Sequence, residues 1–362
     1  MKVLGLMSGT SMDGLDCCLA DINMDNKYNF EYKIIKYKTY QYSEHIKNII
    51  YKSLGKSKLH EIKYIDSELG KCFYEICKDF INKEKVEIIS SHGQTIYHDG
   101  RTKTIQVGNP RYLYKYFNVP VFFNFREKDI ILGGEGAPLM PFLDWLLFNK
   151  ENKNLIILNI GGIANITYIS NNGNRNEVVG YDTGPGMGLI DEHCKFIFGH
   201  DMDLNCIFSS KGNVDKVLLS TLLEDDFVNL LPPKSTTREY YGFSYLQKIY
   251  KKYNYLSNYD ILRTLVKFTS EAILKNIKHI IDLNKIDKMI VSGGGSHHNI
   301  LINDIKEKVS NLYLSDEYGI AVDSKEALLM CVLGYTCYKN LNNNMPNVTG
   351  ASKYDVYGEV YE

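Results

Sequence analysis

The chain has almost no net charge: 42 Lys and Arg stand against 43 Asp and Glu, a formal −1 over 362 residues. A protein that follows a nucleic-acid backbone or an anionic membrane needs a basic field, and this composition supplies none. No stretch approaches the ~18 consecutive apolar residues of a membrane span. The eight cysteines (Cys17, Cys18, Cys72, Cys77, Cys194, Cys206, Cys331 and Cys337) include no C-x-x-C pair. A chain of this size does not need disulfides, so reduced thiols are expected. The short apolar run at the start meets Ser8-Gly9-Thr10 too early for a secretory signal. A cytoplasmic setting follows from these absences.

Several nucleotide and metal signatures are missing as well. Gly55-Lys56-Ser57 resembles the end of a Walker A loop, but position 50, where that loop needs glycine, is Ile50. No protein-kinase H-R-D or D-F-G set occurs. The glycines of "DTGPGMG", at 184, 186 and 188, do not have dinucleotide-fingerprint spacing. The histidines, His92, His98, His297 and His298 among them, form no H-E-x-x-H pattern. Polar networks suit them better than a metal. The composition that is present, 44% hydrophobic and 23% charged, is that of a globular protein long enough for two cores. Tyrosine is abundant at 28 residues, but forms no spaced array with basic side chains.

A strand–glycine turn–strand signature occurs twice. In residues 3–22, apolar residues lead into Gly9 to Gly14, and a second apolar run leaves from Leu15 to Ile22. In residues 155–170, Leu155 to Ile160 lead into Gly161-Gly162, and Ile166 to Ile169 run out. Both predict antiparallel hairpins about one domain apart, hence a duplicated α/β architecture with a cleft between the halves. Helical spacing covers 61–83, through Ile62, Ile65, Leu69, Phe73, Ile76 and Phe80, and 261–282, through Leu262, Leu265, Phe268, Ile273, Ile277 and Ile281. A strand is predicted at Val86 to Ser90, and a strand, glycine turn and helix across 288–309. Ser324 to Tyr338 reads as a helix, residues 124–136 as a linker. The expected division is 1–130 with a C-terminal return at 340–362, against 131–339.

Phosphate binding needs backbone N–H groups converging where no Cβ obstructs them. "GTSMDGLD" offers Gly9 and Gly14 for that approach, hydroxyls on Thr10 and Ser11, and carboxylates on Asp13 and Asp16. A carboxylate beside a polyphosphate implies an intervening Mg²⁺, which Asp13 or Asp16 would hold through water. A plain hairpin rich in turn formers explains the same residues. In "VVGYDTGPGMGLIDEH", a strand from Val178 to Tyr181 delivers Asp182 into a Gly-Pro-Gly turn, with a helix from Leu189. A carboxylate so placed can take a proton from water or a hydroxyl; an Asx turn or helix cap is the structural alternative. Gly293, Gly294 and Gly295 either let a nucleoside lie against the chain or mark a tight strand-to-helix crossing.

Taken in order, these segments resemble the anhydro-N-acetylmuramic acid kinase family. The resemblance runs through "MSGTSMDGLD" (7–16), "SHGQTIYH" (91–98), "GNP" (108–110), "REKDIILGGEGAPLMP" (126–141), "NIGGIANIT" (159–167) and "DTGPG" (182–186). It continues in "PPKSTTRE" (232–239), "SGGGSHHN" (292–299), "SDEYGI" (315–320), "KEAL" (325–328) and "NVTGA" (347–351). It implies an actin/hexokinase-like (ribonuclease H-like) fold, with ATP and Mg²⁺ in the cleft between domains. The implied reaction opens the 1,6-anhydro bond of the amino sugar while its 6-oxygen takes the γ-phosphoryl group, giving N-acetylmuramic acid 6-phosphate in murein recycling. By position, Gly9, Thr10, Ser11, Met12, Asp13, Gly14, Leu15 and Asp16 match the ATP-binding segment, with Gly161, Gly162 and Gly293 to Gly295 as further nucleotide contacts. Asp182 matches the catalytic aspartate, and His92, Arg126 and Glu326 are candidate sugar contacts. The partner implied is a small anhydro amino sugar, with no nucleic acid or membrane; a homodimer is compatible.

The chain departs from the family pattern at Asn109 and Asn124, where Asp is usual, at Met187, usually Asn, and at Thr237, usually Gly. Loss of orienting groups there would alter the sugar preference. The alternatives are a related amino-sugar kinase, or a nucleotide-driven switch without sugar chemistry.

Overall fold

The structure is a computed structural model that describes residues 1–9, 12, 14–56, 58–237, 240–318 and 324–362. Its described strands are β1 (Lys2–Ser8), β2 (Gly14–Met24), β3 (Phe30–Gln41), β4 (Ile88–Asp99), β5 (Lys103–Val107), β6 (Val121–Phe123), β7 (Leu155–Ile160), β8 (Ile163–Ile169), β9 (Val179–Pro185), β10 (Lys288–Ser292), β11 (Leu312–Leu314) and β12 (Glu359–Tyr361). The chain forms two compact units, residues 1–147 with 323–362, and residues 148–322.

In the first unit the sheet order is β12-β6-β4-β1-β2-β3, with β5 paired to β4. β1, β2 and β3 form an antiparallel meander, whereas β4 joins β1, and β6 joins β4, in parallel. The second sheet runs β11-β10-β7-β8-β9. Here too three antiparallel strands (β7, β8, β9) continue into two parallel ones (β10, β11) on the far side of the first strand. With the β5 hairpin arm and the edge strand β12 of the first sheet set aside, both sheets share the order 3-2-1-4-5 when numbered within their own units. The duplication expected from the two glycine hairpins is therefore present in the strand order itself, in the ribonuclease H-like arrangement.

Hydrophobic patterning accounts for both sheets. β7 (LIILNI) is apolar along most of its length because both faces are covered, and Leu155, Ile156, Leu158 and Ile160 are fully buried. The Asn258–Ile277 helix lies against this sheet and buries Leu262, Leu265, Phe268, Ile273 and Ile277 in the second core. In the first unit, the Leu59–Ile81 helix contributes Ile65, Leu69, Phe73, Cys77 and Phe80 to a core shared with Leu4, Leu6, Leu15 and Leu19. Both helices follow the apolar spacing of the sequence, within a few residues at their ends.

The units divide differently from the sequence expectation, which put 131–147 and 323–339 in the second half. The Lys325–Tyr338 helix packs on β1, β2 and β4 of the first unit. Two glycines permit the contact: a Cβ on Gly5 would stand 2.2 Å from the Ala327 carbonyl, and one on Gly334 2.5 Å from Ser90 Cβ. Lys325 is itself buried, paired with Asp144 at 2.6 Å. The stretch read as a linker contains the Glu127–Ile131 helix and is fastened by a wholly buried carboxylate. Asp129 Oδ1 accepts from Thr349 Oγ1 (2.6 Å) and Tyr357 OH (2.6 Å), and its Oδ2 accepts from the Gly136 amide (2.6 Å).

Candidate active site

In the first unit the β1–β2 hairpin opens where Met7 pairs with Asp16. Thr10, Ser11 and Asp13, three of the expected phosphate and Mg²⁺ contacts, lie outside the described residues. Gly9 is held from β4: Gln94 Nε2 donates to its carbonyl (3.2 Å), and Ser8 Oγ, 2.7 Å from Tyr42 OH, donates to Gln94 Oε1 (2.6 Å). Met12 adopts φ +57°, the left-handed conformation of a tight turn. Asp16 Oδ1 accepts from Thr39 Oγ1 (2.5 Å) and Tyr37 OH (3.0 Å) on β3.

His92, Arg126 and Glu326 come together in this unit. Arg126 Nε donates to His92 Nε2 (2.8 Å), and its Nη1 donates to the Gly136 carbonyl (2.8 Å). The first bond requires a neutral ring with Nε2 unprotonated and the proton on Nδ1, which faces the Gly93 carbonyl at 2.8 Å. Burial, then the neighbouring guanidinium, lowers the His92 pKa to about 3. Burial also lowers the Arg126 pKa to about 10, opposed by Glu326 and Asp129. Glu326 is shifted upward by desolvation first and by the Asp16 carboxylate second, against Arg126 and Lys325.

In the second unit, Gly161 and Gly162 form the β7–β8 turn. Their carbonyls accept from the amides of Met187 (2.7 Å), Gly186 (3.0 Å) and Gly188 (3.0 Å), which locks the "DTGPGMG" turn onto the hairpin. Gly293 to Gly295 follow β10 alongside Ile160, and they answer the two sequence readings differently. Gly293 has φ +85°, and a Cβ there would stand 2.6 Å from the Ile160 carbonyl, so the fold requires it. A Cβ on Gly294 would meet nothing within 4 Å. The backbone at Gly294 is therefore unobstructed on that side.

Asp182 is within β9, which runs on to Pro185, not at the strand's end as the sequence suggested. Its Oδ2 accepts from Ser235 Oγ (2.8 Å) and the Thr236 amide (2.9 Å), and its own amide donates to the Lys234 carbonyl (3.3 Å). Oδ1 has no hydrogen bond among the described residues. Burial raises the Asp182 pKa to about 6, opposed by the Thr236 and Ser235 bonds and by the Lys234 ammonium. A carboxylate with one oxygen held, the other open and its pKa near neutrality has the properties of a general base. The Lys234–Thr236 turn belongs to "PPKSTTRE", a segment whose pattern points to no chemistry; its one signal is a lysine placed directly after Pro232-Pro233.

The departing residues have local explanations in two cases. Asn109 Nδ2 donates to Asp66 Oδ2 (2.9 Å), and Asn124 Nδ2 donates to Glu127 (2.5 Å) and Glu359 (2.6 Å). An aspartate at either position would confront a carboxylate. Met187 packs on the second core, and Thr237 is exposed with nothing in the structure to explain it.

Asp203, Cys206 and His298 place ligand-type atoms within 4.8 Å of one another, but both ring nitrogens of His298 are already engaged. Nδ1 accepts from the Leu301 amide (3.2 Å) with the Cys206 thiol 3.6 Å away, and Nε2 donates to Asp203 Oδ2 (3.2 Å). This is a buried polar network capping the Asn299–Lys306 helix. All eight cysteines are free thiols, and no described helix is long and apolar enough to cross a membrane.

Two units of one strand order, each opening on a glycine-turned hairpin, with an available carboxylate on the second, define a sugar kinase of the actin/hexokinase-like class. The sequence model described as anhydro-N-acetylmuramic acid kinase matches residues 1–362, and the chain belongs to that family. It is 38% identical over 376 residues to the anhydro-N-acetylmuramic acid kinase of Clostridioides difficile (strain 630), covering 99% of this chain and 98% of that one. It is 34% identical over 381 residues to that of Bacillus cereus (strain Q1), covering 99% of each. As a kinase of this family it takes its phosphoryl group from ATP.

Proposed function

We propose that this protein converts 1,6-anhydro-N-acetylmuramic acid, ATP and water to N-acetylmuramic acid 6-phosphate and ADP, in the cytoplasm, as a step of murein recycling. Family membership along the whole chain carries this reading. Asp182 Oδ1 takes a proton from water as the water oxygen bonds to the anomeric carbon. The bond from that carbon to the 6-oxygen breaks, and the 6-oxygen attacks the γ-phosphorus while the β–γ bridging bond breaks. The proton on Asp182 returns to solvent after product leaves. One base thereby serves two bond changes.

Gly9 to Asp16, with Gly161, Gly162 and Gly293 to Gly295, receive the nucleotide in this reading, the open backbone at Gly294 being suited to it. Mg²⁺, when bound, would neutralise charge on the β- and γ-phosphates, and the Asp16 carboxylate, close enough to Glu326 to raise it, is a fitting holder beside Asp13. His92, Arg126 and Glu326 contact the sugar. The guanidinium, held by His92 and the Gly136 carbonyl, presents a fixed cation for an acidic substituent of the substrate.

The test is turnover of the anhydro sugar with ATP in ¹⁸O-labelled water. Label at the anomeric carbon of a 6-phosphorylated product is expected. Phosphorylation without label would replace this reaction with simple phosphoryl transfer, and ATP turnover without sugar would replace it with a nucleotide switch.

A further inference from the structure

The Lys234 ammonium is buried within the second unit, with a relative exposure of only 9%. Burying a charge requires partners, and those present are specific. Nζ donates to the carbonyls of Phe227 (2.8 Å) and Val228 (3.3 Å), in the Asp226–Asn229 helix. The ammonium also lies over the Phe227 ring, 4.7 Å from its centroid, and 5.8 Å from that of Tyr181. The Val228 carbonyl accepts a second bond from Asn276 Nδ2 (3.3 Å), which also donates to the carbonyl of Thr183 (2.9 Å). Thr183 is the β9 residue next to Asp182, and the Lys234–Thr236 turn closes back on Asp182 through the Ser235 hydroxyl and the Thr236 amide. The result is a closed circuit: β9, Asn276, the Asp226–Asn229 helix, Lys234, the turn, and β9 again.

We propose that the Lys234-Ser235-Thr236 turn, anchored by the buried Lys234, is the positioning device of the reaction, fixing Asp182 with Oδ2 occupied and Oδ1 presented. This rests on the reading of Asp182 as the base. The turn does two things at once. It selects which oxygen accepts the proton, since two donors already occupy Oδ2. It also holds a cation near the carboxylate without a direct salt bridge, which would silence the base. Burial, the largest influence, lowers the Lys234 pKa to about 8; Asp182 and Asp225 oppose that shift and Lys275 adds to it, so the ammonium is charged across the acid limb. Lys275 is in turn tied to Asn229 Oδ1 and the Leu223 carbonyl. Lys234 and the turn's donors both favour the charged form of Asp182, so removing either raises the pH at which the base becomes active.

The experiment compares full-length wild type, Ser235→Ala, Lys234→Gln and Asp182→Asn with ATP and the anhydro sugar, reading kcat and each KM from about pH 5 to pH 9. Ser235 is exposed, so its truncation does not threaten the fold, and glutamine retains a donor for the helix carbonyls without the charge. Both variants are expected to move the acid limb of kcat to higher pH. For each pH unit the limb moves, the loss at about pH 5.5 should exceed that at about pH 8 by roughly tenfold. KM for ATP should stay within about twofold of wild type. A purely structural turn would lower kcat by the same factor at every pH, and that uniform loss would overturn the proposal, as would profiles superimposable on wild type. If Lys234→Gln fails to fold, carbon NMR titration of the Asp182 carboxyl in Ser235→Ala decides: a midpoint moved upward supports the device, an unchanged titration overturns it. If Asp182→Asn keeps its turnover, the base reading fails first and the positioning role with it. If Asp182→Asn is inactive while the other two variants titrate as wild type, only the positioning role fails.

Discussion

Replacing Asp182 with asparagine is expected to abolish turnover and at the same time make the protein more stable at neutral pH. The Asp182 pKa is raised from 3.8 to about 6 by burial, so the folded state holds the proton more tightly than the unfolded chain. Below pH 3.8 both states are protonated and the group costs nothing. Between 3.8 and 6 the unfolded chain releases its proton while the folded one keeps it, and stability falls as pH rises. Above about pH 6 the full cost is present, at most about 3 kcal/mol for a group displaced that far. Asp182 is only partly buried, and solvent screening reduces that to about 1–2 kcal/mol. Asparagine keeps an oxygen for the Ser235 and Thr236 donors and removes the charge. Its advantage should therefore appear as a melting temperature higher by about 2–4 °C per kcal/mol at pH 8, shrinking toward zero near pH 4. Turnover should fall by at least about 10²-fold. Paired melting scans across pH check the argument; a variant less stable than wild type at pH 8, or one whose advantage did not shrink in acid, would refute the idea that this carboxylate is held at a cost.

Gly294→Ala should leave the melting temperature within about 1 °C, since its Cβ meets open space, yet weaken nucleotide affinity measured by calorimetry. Gly293→Ala, at φ +85° and 2.6 Å from the Ile160 carbonyl, should instead destabilise the second unit by about 2 kcal/mol or more in urea unfolding. Arg126→Leu removes both the donor to His92 Nε2 and a neighbouring cation, so the His92 pKa measured by NMR should rise from its value of about 3. In the same variant KM for the sugar should rise while KM for ATP holds; an equal rise in both would separate Arg126 from the sugar. Asp129→Leu strands three buried donors, and a loss of about 3 kcal/mol or more is expected by urea titration.

The features legible in the sequence are those with a local cause. A glycine turn between two apolar runs needs no distant partner to be recognised, so both hairpins, and through them the duplicated plan, are visible before any strand order is known. Asp182 is singled out by its place in the family motif "DTGPG"; by itself an aspartate before Thr-Gly-Pro reads as readily as an Asx turn or helix cap. What the sequence conceals depends on tertiary partners. Nothing local marks Lys234, which follows two prolines, as buried; the carbonyls of Phe227 and Val228 are what reveal it. Residues 124–136, with three glycines and acids nearby, read as a linker because Asp129 finds Thr349 and Tyr357 more than two hundred positions away. The Lys325–Tyr338 segment is recognisable as a helix, but its owner is not, because the space left by Gly5 and Gly334 belongs to packing and has no periodicity.

The ownership of that helix sets the order in which the protein can be made. Residues 148–322 form an uninterrupted unit that leaves the ribosome complete, whereas the first unit must wait for residues 323–362 to cover β1 and β4 and to supply Thr349 and Tyr357 to Asp129. The half that begins the chain is the last to be finished. A nascent chain cut short before Lys325 would leave the apolar face of β1 with no helix to cover it.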